Sequence, residues 1–202
     1  MLIVVRSIMD SPVANRTRED LLKLKFLLVD DSRYARSFIK MALSLYNIRN
    51  IVEASDGAQG LDILEREHVD IVLLDNEMEP ISGIELTRLI RTGGKVLNRK
   101  IPIIMISGFT EAGKVIEARN AGVDEYLAKP ISASILCQRV EQTYLYPRPF
   151  IECDSYVGPC RRWIKAEREQ AERRQQQLRK APAQLGHGLA GRVGMPLGMQ
   201  PA

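Results

Sequence analysis

Asp30-Asp31, Asp75, Ser107 and Lys129-Pro130 each follow a short apolar run in a repeating strand–helix pattern. Open α/β folds place their chemistry outside the carboxyl ends of their strands, so these four strings belong on one edge of a sheet. Three carboxylates brought within a few ångströms repel one another and need a cation. Oxygen donors without His or Cys select Mg²⁺, which keeps several waters and accepts a phosphate oxygen. With that charge neutralised, Asp75 can act as a nucleophile and become an acyl phosphate. Lys129 can pair with the incoming phosphoryl oxygens, and Ser107 can hydrogen-bond one of them. Any one of these residues alone reads as an ordinary loop residue after a strand. The order of all four points to phosphate.

The elements that must position them start at Lys25. Phe26-Leu-Leu-Val29 is a continuous apolar run, the mark of a strand buried on both faces. Ser32 can cap a helix running to about Tyr46, with apolar positions Tyr34, Phe38, Met41 and Leu45 at three-to-four spacing. Ile51–Ala54 reads as a second strand, and Ser55-Asp-Gly57 turns into a helix with Leu61 and Leu64 inward. Val69–Leu74 is the most apolar run of the body and is the expected central strand. A short helix over Ile84–Arg91 is stopped by Gly93-Gly94. Ile101–Ile106 is the fourth strand, and Thr110 is the expected cap of a helix to about Asn120 with Gly122 at its C-terminus. Glu125–Ala128 is the fifth strand, and Ser132 opens a helix to about Tyr144. Right-handed crossovers then give one five-stranded parallel sheet, doubly wound, with helices on both faces. Periodicity does not give the strand order.

The bulk numbers bound the rest. The chain has 202 residues, 45% of them hydrophobic, enough for one sizeable core plus extensions. No apolar run approaches the roughly 20 residues that span a bilayer, and Met1–Val5 is too short for a signal h-region, so the default expectation is a cytoplasmic protein. Three cysteines cannot all pair, and with only His68 and His187 beside them no metal-ligand spacing emerges. The net charge of +4 is uneven. Residues 1–147 hold 19 basic and 20 acidic side chains, whereas 148–202 hold 10 and 5. Any attraction to anions therefore belongs to the tail. The expected organisation is a poorly ordered leader over 1–22, one domain over 23–146, a basic, partly helical extension over 147–180 and a disordered tail over 181–202.

The body resembles the CheY-like receiver domain of two-component response regulators. The resemblance is carried by Leu-Val-Asp30-Asp31-Ser, by Val-Leu-Leu-Asp75-Asn-Glu-Met78-Glu-Pro80-Ile-Ser-Gly83, by Ile-Ser107-Gly and by Ala-Gly122-Val-Asp-Glu-Tyr126-Leu-Ala-Lys129-Pro130. It covers residues 24–145 and implies a flavodoxin-like (βα)5 receiver fold. It also implies that Asp75 is the phosphoacceptor and that Asp30, Asp31 and Asp75 hold Mg²⁺ together with the backbone carbonyl of Glu77. Lys129 would be the phosphate-binding lysine, the Lys129–Pro130 peptide would be cis, and Ser107 and Tyr126 would form the switch pair. Two features depart from the family pattern. Glu79 intervenes between Met78 and Pro80, and Glu77 sets an extra carboxylate beside the acceptor, where it bears on phosphoryl lifetime.

The resemblance implies a receiver-only regulator, more phosphoacceptor than enzyme, with at most weak autophosphatase activity. It would take phosphate from a sensor histidine kinase and signal to a downstream protein. The alternative is a phosphorelay intermediate that returns the group to a histidine phosphotransferase. The segment Pro149–Arg162 is similar to an extension of some alphaproteobacterial receivers, with Cys160 standing where Asp is usual. One reading makes Arg161 and Arg162 an anion or cyclic-dinucleotide contact, with Tyr156 and Trp163 as stacking faces. The preferred reading is a solvated tail that packs Phe150 and Tyr156 onto the receiver. The lack of a helix pair after residue 148 argues against DNA as a partner. A haloacid-dehalogenase-type phosphatase would show Asp-x-Asp after the first strand, where this chain has Asp30-Asp31-Ser.

Overall fold

The computed structural model describes residues 16–162. Five parallel strands form one sheet: β1 (Phe26–Val29), β2 (Ile51–Ala54), β3 (Ile71–Leu74), β4 (Ile103–Ser107) and β5 (Glu125–Ala128), in the order β2-β1-β3-β4-β5. β1, β3 and β4 are buried along their whole length, as their unbroken apolar sequences require. The edge strand β2 is only partly covered. Helices α2 (Arg33–Ser44) and α6 (Ala133–Leu145) pack together on one face, and α3 (Gly57–Arg66), α4 (Gly83–Thr92) and α5 (Ala112–Ala121) on the other. The chain runs one way from β1 to β2 and the other way from β3 onward. The crevice at this reversal opens at the carboxyl ends of β1 and β3. Val29 lies opposite Leu74 in the ladder, so the residues that follow them, Asp30 and Asp75, emerge side by side.

The first part of α2 is a correction to the periodicity argument. Its core-facing residues are Ile39, Ala42 and Leu43, while Tyr34, Phe38, Met41 and Leu45 point outward. A helix with two apolar stripes has the right spacing on both, and spacing cannot say which one faces the sheet. α5 also starts later than expected. Glu111, not Thr110, is its N-cap, and no side chain caps it.

The ends of the domain hold more structure than composition suggested. Residues 16–22, read above as part of the leader, carry a helical turn, α1 (Arg18–Leu21). A reciprocal Thr17–Asp20 capping box starts it, Leu21 is buried, and Arg16 donates to the Tyr144 carbonyl of α6 at 2.9 Å. Beyond α6, residues 150–159 form an antiparallel hairpin of β6 (Phe150–Cys153) and β7 (Tyr156–Pro159). Tyr156 is buried, and Phe150 is half-buried under Arg91 and Lys100. The expected leader over 1–15 and the expected helix and tail from Trp163 onward lie outside the described residues. Among the described residues no helix is long and apolar enough to cross a membrane, and the three cysteines are free thiols.

Candidate functional site

Each side chain of the site is delivered by a strand end. Asp30 and Asp31 follow β1, Asp75 follows β3, Ser107 ends β4 and Lys129 follows β5. Lys129 Nζ lies 3.1 Å from Asp30 Oδ2 and 3.1 Å from Asp75 Oδ1, bridging the two buried carboxylates. Asp31 is exposed at the lip, and oxygens of Asp30, Asp31 and Asp75 all lie within 4.8 Å of one another. The backbone holds this arrangement tightly. The Asp75 N–H donates to the Val29 carbonyl at 2.8 Å, Ser32 N–H to Asp30 Oδ1 at 2.9 Å, and Arg36 to the Asp30 carbonyl at 2.6 Å. Gly83 is required at the start of α4. A Cβ there would sit 2.1 Å from the Asp75 carbonyl oxygen.

Three carboxylates against one ammonium leave a formal charge of −2. Burial pushes the Asp75 carboxyl above its ordinary value, and the nearby Asp30 charge adds to that, while the Lys129 ammonium works against both. Burial would by itself lower the Lys129 pKa. The hydrogen bond to Asp30 and the charges of Asp75 and Asp30 outweigh burial, and the net direction is up. Lys129 therefore stays protonated. A set of hard oxygen donors with an uncompensated double negative charge fits Mg²⁺ and no soft metal.

The other predicted residues fall around this centre. Ser107 is fully buried, and its Oγ accepts the Phe109 N–H at 3.2 Å. Tyr126 on β5 is half-buried, and its hydroxyl donates to the Phe109 carbonyl at 2.6 Å. Both members of the expected switch pair thus hold the same residue of the β4–α5 loop. Lys129–Pro130 is cis, and so is Glu79–Pro80. Glu77 and Glu79 are exposed, and together with Asp31, Asn76, Met78 and Phe109 they line an open cleft of about 530 Å³. The sequence reading missed Phe109, whose only signal was a large apolar residue in a polar loop. It also missed Arg36, whose pairing with Glu53 across α2 and β2 is not local.

Arg161 and Arg162 lie away from this centre. Arg161 stacks on the Tyr156 ring, 4.2 Å from its centroid, and donates to Asn120 Oδ1 at 2.9 Å, so it already has partners within the fold. Arg162 is exposed, and Trp163 lies outside the described residues.

Comparison with known proteins agrees with this geometry. The model of the response regulator receiver domain matches residues 26–141. The chain is 31% identical over 121 residues to the chemotaxis protein CheY of Pseudomonas aeruginosa, covering 60% of this chain and 96% of that one. It is 36% identical over 121 residues to a CheY homolog of Campylobacter jejuni, covering 58% and 90%. The receiver domain of Francisella response regulator 1452 superposes with a TM-score of 0.54 at 30% identity, over 60% of this chain and 96% of that one. The receiver domain of sensor histidine kinase PA1611 from Pseudomonas aeruginosa superposes with a TM-score of 0.54 at 29% identity, over 60% and 97%. That structure has a magnesium ion coordinated in its active site cleft. With the carboxylates, the lysine and the sheet order all in place, the chain belongs to the response regulator receiver domain family.

Proposed function

We propose that this chain is a response regulator whose receiver domain takes a phosphoryl group from a phosphohistidine onto Asp75 in the cytoplasm. The observation that carries the reading is the bridge from Lys129 to Asp30 and Asp75, with Asp31 completing a cluster of charge −2 at the strand reversal. Asp30, Asp31 and Asp75 would hold Mg²⁺, with the Glu77 carbonyl as a further ligand. A divalent cation held by these residues would neutralise the carboxylates and supply Lewis-acid stabilisation of the phosphoryl charge. An Asp75 carboxylate oxygen attacks phosphorus as the P–N bond to the donor imidazole breaks. The bonding pair returns to the ring nitrogen and Asp75 becomes an acyl phosphate. Lys129, released from its bridge, pairs with the new phosphoryl oxygens.

The readout follows from the bonds already made. Ser107 Oγ accepts the Phe109 N–H and keeps its own O–H to donate; a swing of that Oγ toward the phosphoryl group would lengthen the Phe109 bond and loosen one of the two ties on that loop. The other tie, from Tyr126 to the Phe109 carbonyl, then shifts with it. The face built by α5, β5 and α6 changes shape, and a downstream protein reads the change. Incubation with acetyl phosphate and Mg²⁺ should add one phosphoryl mass to the intact protein. Asp75→Ala should gain none, and a gain of the same mass by that variant would refute the assignment.

A further inference from the structure

Helix α5 is loose at one end and fastened at the other. Its buried residues are Ala118 and Ala121, both in the carboxyl-terminal half, so little apolar surface holds the first turns to the sheet. Glu111 caps the helix without a side-chain hydrogen bond, and a Cβ on Gly113 would meet nothing within 4 Å. The loop before it hangs on Phe109, through the bond to Ser107 Oγ and the bond from the Tyr126 hydroxyl. Phe109 also lines the acidic cleft, so the loose end of α5 is the end beside the phosphoryl site.

The far end is fastened by the hairpin of β6 and β7, which lies beyond the residues that match the receiver family. Gly122 closes α5 with φ +107°, and β7 rests directly on that turn. A Cβ on Gly158 would sit 2.9 Å from the Gly122 Cα, and one on Gly122 would sit 3.1 Å from the Val157 carbonyl oxygen. Two glycines thus let two backbones touch where side chains would hold them apart. Arg161 donates to Asn120 Oδ1 in the last turn of α5 at 2.9 Å, with its guanidinium stacked on the Tyr156 ring. Tyr156 is itself fixed, buried and donating to the Pro159 carbonyl at 2.7 Å. Arg148 donates to the Val123 and Asp124 carbonyls just past the helix. The hairpin has anchors outside α5 as well. Glu152 pairs with Arg99, and Phe150 sits under Arg91 of α4 and Lys100.

We propose that the β6–β7 hairpin is a clamp that makes the Asn120–Gly122 end of α5 a fixed pivot for the phosphorylation switch. When the Phe109 loop loosens, the amino-terminal half of α5 swings, while its last turn and the hairpin keep their contacts. This rests on the reading of Asp75 as acceptor. Contacts that are the same before and after the swing favour neither state, so the clamp shapes the movement without biasing its equilibrium. A rigid rod free at both ends would slide; one held at Gly122 can only turn about it.

Amide hydrogen exchange on the full chain tests this, with Mg²⁺ alone against Mg²⁺ and excess acetyl phosphate, and with intact mass recording the phosphoryl group gained. In the unmodified chain, amides of residues 109–116 should exchange severalfold faster on phosphorylation, while those of 118–123 and 150–161 stay unchanged. Arg161→Ala and Asn120→Ala, both at exposed positions, remove the same bond from opposite sides. In each variant the phosphorylation-dependent change should spread into 118–123, with the phosphoryl mass gained as before. A change over 118–123 in the unmodified chain as large as that over 109–116 would overturn the pivot. So would a phosphoryl mass gained with no change over 109–116. A change still confined to 109–116 in both variants would overturn the clamp. Failure of the Asp75 reading looks different, since Asp75→Ala would then gain the phosphoryl mass and the same exchange pattern.

Discussion

The sheet has an ionic cluster at each end, and the two are built to opposite rules. At the carboxyl end, three carboxylates face one ammonium and a net charge of −2 is left over. At the amino end, Arg91 is 1% exposed and its five N–H bonds are all taken. It donates twice to the Gly122 carbonyl, once each to those of Arg99 and Ile101, and at 2.9 Å to Asp124 Oδ2. The Asp124 carboxylate accepts the Ile103 N–H as well, and Arg148 from the far side donates to the Val123 and Asp124 carbonyls. Burial pushes the Asp124 carboxyl up and the Arg91 charge pulls it back. The buried Arg91–Asp124 pair is saturated and matched one to one; the carboxyl-end cluster is unsaturated and overcharged. Burial alone does not mark a functional site, whereas burial with unbalanced charge does.

The largest effect expected from this contrast is at the amino end. Arg91→Met leaves Asp124 buried without its cation and orphans four carbonyl contacts, which should cost about 3–5 kcal/mol in urea unfolding. Adding Mg²⁺ should recover none of it. Lys129→Met at the other end should cost less, and Mg²⁺ should restore most of the loss because the cation replaces the missing charge. Equal losses, or equal rescue, would break the comparison.

The same contrast sets the sign of a second pair. The folded-state pKa of Asp75 lies above the unfolded value of about 3.9. Its contribution to stability is therefore greatest below that unfolded value and is lost as pH rises through the folded one. At neutral pH in chelator, Asp75→Asn should raise the urea midpoint; burial holds the Asp124 carboxyl above its ordinary value too, but Asp124→Asn should lower the midpoint because it leaves the buried Arg91 without its anion. A fall for both variants would mean that Asp75 is as well paired as Asp124.

The smallest effect belongs to the surface. Glu53 is held below its ordinary range by the hydrogen bond from Lys40 and then by Arg36. That stability is present above the unfolded value of about 4.3 and fades as pH falls through the lower folded one. Glu53→Gln should flatten a shallow acid-side slope in the unfolding midpoint and change nothing at pH 7 beyond a surface pair's contribution. An unchanged slope would show that the pair is already screened.

The sequence revealed what repeats locally. Continuous apolar runs marked β1, β3 and β4, and the polar residue ending each run marked the site. Facing and long-range partners were not legible. Tyr34, Phe38, Met41 and Leu45 share a face by spacing, but only packing against β1 and α6 decides that Ile39, Ala42 and Leu43 go inward. Arg91 stood only as the last residue of an expected helix, because nothing near it in sequence announces Gly122 or Asp124. The hairpin after α6 was hidden for the same reason. Gly158 has φ +155°, and a Cβ there would meet the Gly122 Cα at 2.9 Å, a fit that depends on residues far apart in the chain.

The central claim is that the overcharged cluster is a phosphoacceptor with Asp75 as the reacting group. Borohydride reduction tests it most directly, because it converts an aspartyl phosphate to homoserine and leaves free carboxylates intact. After acetyl phosphate and Mg²⁺ treatment, peptide mass mapping should find homoserine at the position of Asp75 alone. Homoserine at Asp30, Asp31 or Glu77, or none anywhere after a phosphoryl mass has been gained, would contradict the account.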